Sequence, residues 1–410
     1  MESRSLKQLS VLMATVFVDM IGFTIVLPLL PFYATRLQAD ASMVGVLIAA
    51  FPAAQLVVSP FWGRLSDRYG RRPMILAGLL SSAAAYVLFG LANTLWLLFA
   101  SRFVQGAGGA TTGVVQAYVA DAVVPEERTK ALGWITAATS AGVMIGPLIG
   151  SASTHLGPTA PGYLAAGLCL LNALFAWKWL PESKREAATV ETQTAPAPRQ
   201  SLRATVFDVL ARPAGPVSSL IWVYTIGMMG FMAMNGVLAL YLKQVFGVTE
   251  QNIGYFYTYV GSISLVMRGV LLGPAVRRFG EVGVTRLGAM SLVIGLIVIP
   301  MPKHLWGLAI CVLFVPVGTA LLFPATTSLV SRRARRSEVG QVMGVQQLFG
   351  GVSRMLGPLW AGFVFQEIGI EYPFWIAAAL MLGVSFLTLR MQNEALPTAS
   401  VGKVKPVQPS

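Results

Sequence analysis

Gly63, Arg64, Leu65, Ser66, Asp67, Arg68, Tyr69, Gly70, Arg71, Arg72 and Pro73 place five charges between two long apolar runs. Charged side chains are costly in hydrocarbon, so a cluster bracketed in this way belongs at a membrane surface. Working outward from it, apolar stretches recur near residues 9–34, 43–62, 73–93, 95–120, 131–154, 161–180, 214–241, 252–274, 283–301, 304–330, 340–366 and 371–390. Each approaches the roughly 20 residues that a helix needs to cross a bilayer. Composition agrees, with 55% of the chain apolar, 11% charged and a mean hydropathy of +0.67. A water-soluble domain carries roughly a quarter of its residues as charges. The expected fold is therefore an all-α integral membrane protein with twelve transmembrane helices.

The net charge of +13 invites a nucleic-acid reading, but the placement of the charges excludes it. With the N-terminus inside, Lys and Arg crowd one side: Arg64, Arg68, Arg71 and Arg72; Arg128 and Lys130; Lys184 to Arg212; Arg277 and Arg278; Arg332, Arg333, Arg335 and Arg336. Arg36, Lys243 and Lys303 fall on the other. That asymmetry follows the positive-inside rule and predicts both termini in the cytoplasm and a home in the cell's inner membrane. Arg4 and Lys7 before an apolar run mimic a signal peptide, yet the run continues to Tyr33 without a small-residue cleavage site, so it reads as a retained first helix. Cys169 and Cys311 lie in different spans and offer no disulfide framework or metal site. His155 and His304 lack neighbouring ligands, and no cofactor is expected.

A polar insertion at 181–213, containing Ala195, Pro196, Ala197, Pro198 and Arg199, divides the spans six and six. The expected organisation is an N-terminal six-helix bundle at 1–180, a cytoplasmic linker at 181–213, a C-terminal bundle at 214–391 and a disordered tail at 392–410. Leu202, Val206, Val209 and Leu210 follow helical spacing, predicting a short amphipathic helix on the membrane surface. The halves repeat. Gly133, Gly146 and Pro147 recur 211 residues later as Gly344, Gly357 and Pro358, and Gly63 and Gly70 recur 210 residues later as Gly273 and Gly280. Duplicated halves related by an axis along the membrane normal place a substrate site at their interface. The second copy of the charged stretch reads as degraded, with Arg277 matching Asp67 and Glu281 and Val282 replacing Arg71 and Arg72.

Asp19, Arg102, Arg268 and Arg354 are embedded within spans. Each costs about 2.5–3.5 kcal/mol at a helix centre, so they should face one another or water. Asp19 is the one carboxylate deep in any span. Burial and nearby cations shift a carboxyl group's proton affinity in opposite directions, which makes Asp19 a candidate proton carrier. An ion pair with Arg102 is the alternative. Arg268 is close enough to a span end to snorkel to the surface. Arg354 lies deeper and needs an acceptor or an anionic substrate.

The charged stretch Gly63 to Pro73 resembles the loop between helices 2 and 3 of the major facilitator superfamily. LLFASRFVQGAGGA, with Arg102, Gln105, Gly106, Gly108, Gly109 and Ala110, resembles that family's fourth-helix motif. The family ties this Arg to proton coupling. Gly142, Val143, Met144, Ile145, Gly146, Pro147, Leu148, Ile149 and Gly150 resemble the antiporter motif of its exporters. Physically, Pro147 removes a backbone donor while Gly142, Gly146 and Gly150 strip one helix face for close packing. Asp121, followed by Pro125, Glu126, Glu127 and Arg128, completes the pattern. The resemblance implies a conformational latch of Gly63, Asp67, Arg68, Gly70, Arg71 and Arg72 with Asp121. In it Arg71 bonds an acid at 121, and Asp67 sits near the helix start around Gly340.

This resemblance spans the chain and is to the drug:proton antiporter branch, closest in pattern to tetracycline-type exporters. It implies two six-helix bundles around a cavity and proton-driven export of small amphipathic molecules by a functional monomer. An anionic or zwitterionic metabolite is the alternative substrate, and an uptake permease the alternative direction. No ATP-binding signature occurs. A receptor or scaffold with this fold would call for a large extramembrane domain, which the short outer loops lack. Polar groups within spans nominate Gln55, Gln116, Asn235, Tyr257, Arg268, Gln346 and Arg354 for the substrate cavity, with Gln347 beside them. Met228, Met229, Met232 and Met234 suit promiscuous binding or a lipid-facing surface equally.

Overall fold

The computed structural model describes residues 3–109, 112–124, 127–183, 202–335 and 338–389, and all of their regular structure is helical. Ala110, Pro125, Glu126, Arg336, most of the linker and the tail from Gln392 lie outside the described residues. The helices are α1 Ser3–Val26, α2 Leu30–Arg36, α3 Ala41–Tyr69, α4 Arg71–Gly90, α5 Leu95–Gly108, α6 Thr112–Ala122, α7 Arg128–Ser153 and α8 Ala160–Trp179. They continue with α9 Leu202–Ala211, α10 Ser218–Phe246, α11 Ile253–Val266, α12 Leu272–Val298, α13 Leu305–Val312, α14 Phe314–Arg333, α15 Val339–Glu367 and α16 Tyr372–Leu389. A π turn, Met267–Leu271, joins α11 to α12.

Helix boundaries follow local chemistry. The first apolar run breaks at Leu27–Leu29, where Pro28 denies the helix a backbone donor, and resumes with Pro31 in the first turn of α2. Asp40 caps α3 by accepting from Met43 N at 2.7 Å. Nine helical stretches among the described residues are long and apolar enough to cross a membrane. The difference from the twelve apolar runs is local. The run at 95–120 divides at Gly109 into α5 and α6, and α16 carries a shorter apolar stretch, Tyr372–Phe386. Ile253–Val298 is one 46-residue stretch that turns back at Gly280, whose φ of 68° is left-handed.

The charged stretch at Gly63 was expected to be a loop, and it is a helix end. α3 continues to Tyr69, and the chain turns on Gly70 alone, with φ 101° and ψ 163°. Gly280 repeats that conformation, with φ 68° and ψ 169°. The amphipathic segment forms α9 as expected, but it packs on protein. Val209 is buried, its carbonyl accepts from Trp222 Nε1, and Thr205 Oγ1 accepts from Gln341 Nε2.

Helices α1–α8 pack among themselves, as do α10–α16, and the groups are joined chiefly by two helix pairs, α3 with α15 and α7 with α11, with α10 also touching α2 and α3. Each pair meets at a proline. A β-carbon on Gly45 of α3 would strike the carbonyl of Pro358 and Cα of Gly362, and one on Gly254 of α11 would strike the carbonyl of Pro147 and Ser151 Oγ. The two junctions are copies, since Gly254 lies 209 residues after Gly45 and Pro358 lies 211 after Pro147. Among the described residues, four hydrogen-bonded contacts also cross between the groups. They are Arg36 with Glu250, Lys243 Nζ to Thr35 Oγ1 at 2.8 Å, Ala41 N to Gln366 Oε1 at 3.2 Å and Gly254 N to Ser151 Oγ at 2.8 Å. All four lie at the end opposite the Gly70 and Gly280 turns.

Candidate functional site

At the Gly70 turn, Arg71 gathers the charges. Its Nη1 donates to Asp67 Oδ1 at 2.6 Å and to Ser66 Oγ at 2.7 Å, and its Nε donates to Asp121 Oδ2 at 3.0 Å. The expected bond from Arg71 to the acid at 121 is present. Glu182 completes the turn and was missed by residue type, because its partners are backbone groups: Arg71 N donates to its Oε1 at 2.9 Å and Arg72 N to its Oε2 at 3.1 Å. A carboxylate across the first N–H groups of α4 satisfies donors that no helix can pair itself and complements the helix dipole. The same carboxylate fills the space beside Gly70 that a side chain would need.

Not every residue of the motif joins this cluster. Arg68 instead lies over the ring of Tyr69, 5.4 Å from its centroid. Arg72 reaches the Trp177 carbonyl. Gly63 meets nothing within 4 Å. Asp67 keeps 69% of its side chain exposed, and a β-carbon at Gly340 would likewise meet nothing within 4 Å.

The second copy is inverted rather than degraded, which corrects the sequence reading. Asp67, Arg71 and Asp121 correspond to Arg277, Glu281 and Arg332 at offsets of 210, 210 and 211 residues. Every sign is reversed. Glu281 pairs with Arg332 at 3.3 Å and accepts from Ser328 Oγ at 2.7 Å. The central residues are equally shielded, Arg71 at 14% and Glu281 at 13% side-chain exposure. Glu281→Gln should lower stability to thermal unfolding by about 0.5–1 kcal/mol, since Arg332 remains largely exposed. The swapped double variant Glu281→Arg with Arg332→Glu should recover most of that loss in the same unfolding assay.

Inside the first group, Asp19 lines a cleft with Thr15, Val16, Ile75, Gly78, Leu79 and Val115. No cation among the described residues lies within ion-pairing distance of it. The ion pair with Arg102 that the sequence left open is not formed. Arg102 is 1% exposed, its Nε and Nη2 find no hydrogen-bond acceptor, and its guanidinium lies 5.7 Å from the Phe89 ring centroid. Tyr86 stands between the two in electrostatic terms, within reach of both, and its hydroxyl accepts from Gln105 Nε2 at 2.5 Å. Gly22, one turn after Asp19, lies against the Tyr86 ring and Cys169 Sγ.

Gly142, Gly146 and Gly150 form one face of α7, and α1 fills it. Side chains there would strike the Phe17 carbonyl, Thr24 Oγ1 with the Ile21 carbonyl, and the Ile25 carbonyl, respectively. Pro147 lies toward α11 on the other side. One helix thus packs tightly on its own group through glycines and meets the other group at a proline.

The nominated cavity residues separate. Gln346 is fully buried and donates to Thr327 Oγ1 at 3.1 Å, so it lines no open cavity. Gln55 Nε2 is tied to the Gly109 carbonyl at 2.9 Å and closes the break between α5 and α6. Asn235 Nδ2 bonds the Phe231 carbonyl of its own helix at 2.8 Å. Gln116 and Gln347 are exposed and Tyr257 is half-buried beside Phe256. Met228 and Met234 are buried, and Met232 Cβ and the Met229 carbonyl pack against Gly357, so the methionine cluster is largely core. Arg354 hydrogen-bonds Tyr224, and Arg268 lies within electrostatic reach of the same residue.

Two groups of apolar helices, joined by paired Gly–Pro contacts and carrying copied charge clusters at one end, define a polytopic membrane transporter. The chain belongs to the Major Facilitator Superfamily, whose family model matches residues 12–358 and 269–409. It is 30% identical over 395 residues to multidrug resistance protein 1 of Bacillus subtilis (strain 168), covering 96% of this chain and 98% of that protein. It is 24% identical to the class B tetracycline resistance protein of Escherichia coli, with 90% of each covered. Among solved structures, a bacterial homolog of the human lysosomal transporter Spinster, inward-facing and occupied, superposes with a TM-score of 0.75 at 13% identity, covering 95% of this chain and 97% of that one. The resemblance read from the motifs is borne out at the level of the family.

Proposed function

We propose that the protein is a proton-coupled exporter of small amphipathic molecules, built from six-helix bundles at 1–180 and 214–391 and working by alternating access. The single observation that carries this reading is the isolated Asp19 carboxyl, embedded in a span without a counter-ion, in a chain whose relatives are named for multidrug and tetracycline resistance. A carboxyl group is the simplest side chain that can take up a proton on one side of a membrane and release it on the other. Positive-inside bias places the Gly70 and Gly280 turns, both termini and the linker in the cytoplasm. The four sealing contacts then lie outside, and the conformation is inward-facing with twelve crossings and a monomeric working unit.

The ion pairs around Arg71 and Glu281 act as cytoplasmic latches, one in each half and opposite in sign. Each ties helix ends within its own half, and the latch closes the cytoplasmic side between the halves in the outward-facing state. Export is tested with inverted vesicles carrying the full chain. Acidifying the lumen should drive ethidium inward, and a protonophore should abolish that uptake. Uptake that persists with the protonophore would overturn the proton coupling.

A further inference from the structure

Arg268 and Arg354 are positive charges on span helices, and no carboxylate among the described residues pairs with either. Both act on Tyr224, Arg354 by a hydrogen bond to its hydroxyl and Arg268 through space. Arg354 sits at the seam between the groups: a β-carbon on Gly351 would meet Leu56 of α3 on one side and Arg354 Nη2 at 4.0 Å on the other. Arg268 is carried by the π turn Met267–Leu271, a distortion that recurs at functional sites. Gly350 lets the Tyr224 ring lie against the α15 backbone. Beyond that ring, Phe323 stands edge-on at 5.4 Å, and Phe231 follows it at 6.1 Å.

We propose that Arg268, Arg354 and Tyr224 form a subsite for the carboxylate or sulfonate of a flat amphipathic substrate, whose apolar body lies on Phe323 and Phe231. A guanidinium binds such an oxyanion through two parallel N–H donors, and the tyrosine hydroxyl adds a third. Arg268 is exposed and Arg354 half-buried. Two like charges gathered on one tyrosine, with no acid among the described residues paired to either, repel each other, and an anionic ligand relieves that repulsion. The proposal names the substrate class of the exporter described above, and it rests on that reading for the route by which ligand arrives.

The test uses the full chain in nanodiscs and equilibrium dialysis of a matched pair of probes, pyrenesulfonate and pyrenyltrimethylammonium, against empty nanodiscs. The wild type should prefer the sulfonate. Arg354→Gln and Arg268→Gln should each lower the ratio of anion to cation affinity by about tenfold or more. Arg354→Lys, which keeps the charge and loses the fork, should lower it less. No preference in the wild type, or an unchanged ratio in the glutamine variants, overturns the subsite. If Arg354→Gln fails to fold, Arg268→Gln and Arg354→Lys decide. Sulfonate-selective binding with no proton-driven uptake of pyrenesulfonate into the inverted vesicles would overturn the export reading alone, and proton-driven ethidium uptake with no sulfonate preference in binding would overturn this one alone.

Discussion

Asp19→Asn is expected to abolish proton-driven accumulation of substrate while leaving substrate exchange across the membrane in place. Asparagine keeps the shape of the side chain and loses its proton-binding oxygen, so the variant should fold and bind. The cleft around Asp19 is formed by α1, α4 and α6 within one group. The carboxylate has no cation to lose, so its neutralisation leaves no buried charge unpaired. Each pH unit across the membrane is worth about 1.36 kcal/mol per coupled proton, or about tenfold in accumulation. In vesicles with a one-unit gradient the wild type should approach that ratio, and Asp19→Asn should stay at one. Counterflow of labelled ethidium against unlabelled ethidium, measured without a gradient, should persist in both. Retained accumulation in Asp19→Asn would remove Asp19 from the coupling.

How far such residues could be read in advance depends on what their partners are. Asp19 and Arg102 stood out because charge is conspicuous in an apolar span, but whether they touched depended on helix packing. The packing leaves the two unpaired, each within electrostatic reach of Tyr86. The stretch from Gly63 to Pro73 does mark the turn between two long apolar helices. Its helical state was hidden because charges spaced four apart, as Asp67 and Arg71 are, support a helix end as readily as a loop. Glu182 had no signature at all, since it binds two backbone N–H groups roughly 110 positions away. The inverted charge cluster was visible as a repeat and misjudged, because residue identity was compared where the repeated quantity is an ion pair. Gln346 failed in the opposite way. A polar residue in a span looks like a cavity residue until its amide is seen bonded to Thr327. Gly45 and Gly254 were lost among 41 glycines. Their spacing of 209 residues, close to that of the prolines they meet, was the signal that could have found them.

Those two glycines carry the second large effect. Leucine at Gly45 or at Gly254 is expected to hold the two groups apart at the end now sealed by Arg36 and Glu250. At each site the obstacle is a backbone carbonyl, of Pro358 or Pro147, and neither can yield without separating α3 from α15 or α7 from α11. Overpacking a close contact costs about 1–3 kcal/mol, which shifts a two-state ratio by about 5- to 150-fold. The four polar contacts across the seam oppose this weakly, because an exposed ion pair contributes about 0.2–1 kcal/mol. Spin labels on cysteines introduced at Gln38 and Val245, in a Cys311→Ser background, leave the sealing contacts untouched and report the separation. Wild type should give a single short distance. Gly45→Leu and Gly254→Leu should each move most of the population to a longer one, and together they should eliminate the short distance and stop transport. Gly167→Leu is the control, because a β-carbon there meets nothing within 4 Å. An unchanged distance in the double variant would mean that the seam is not where the halves pivot. Because the carbonyls belong to the prolines of the paired Gly–Pro motifs, a shift would also assign those motifs a mechanical role. Glycine at 146 and 357 binds each proline helix to its own group, leaving Pro147 and Pro358 to meet the other.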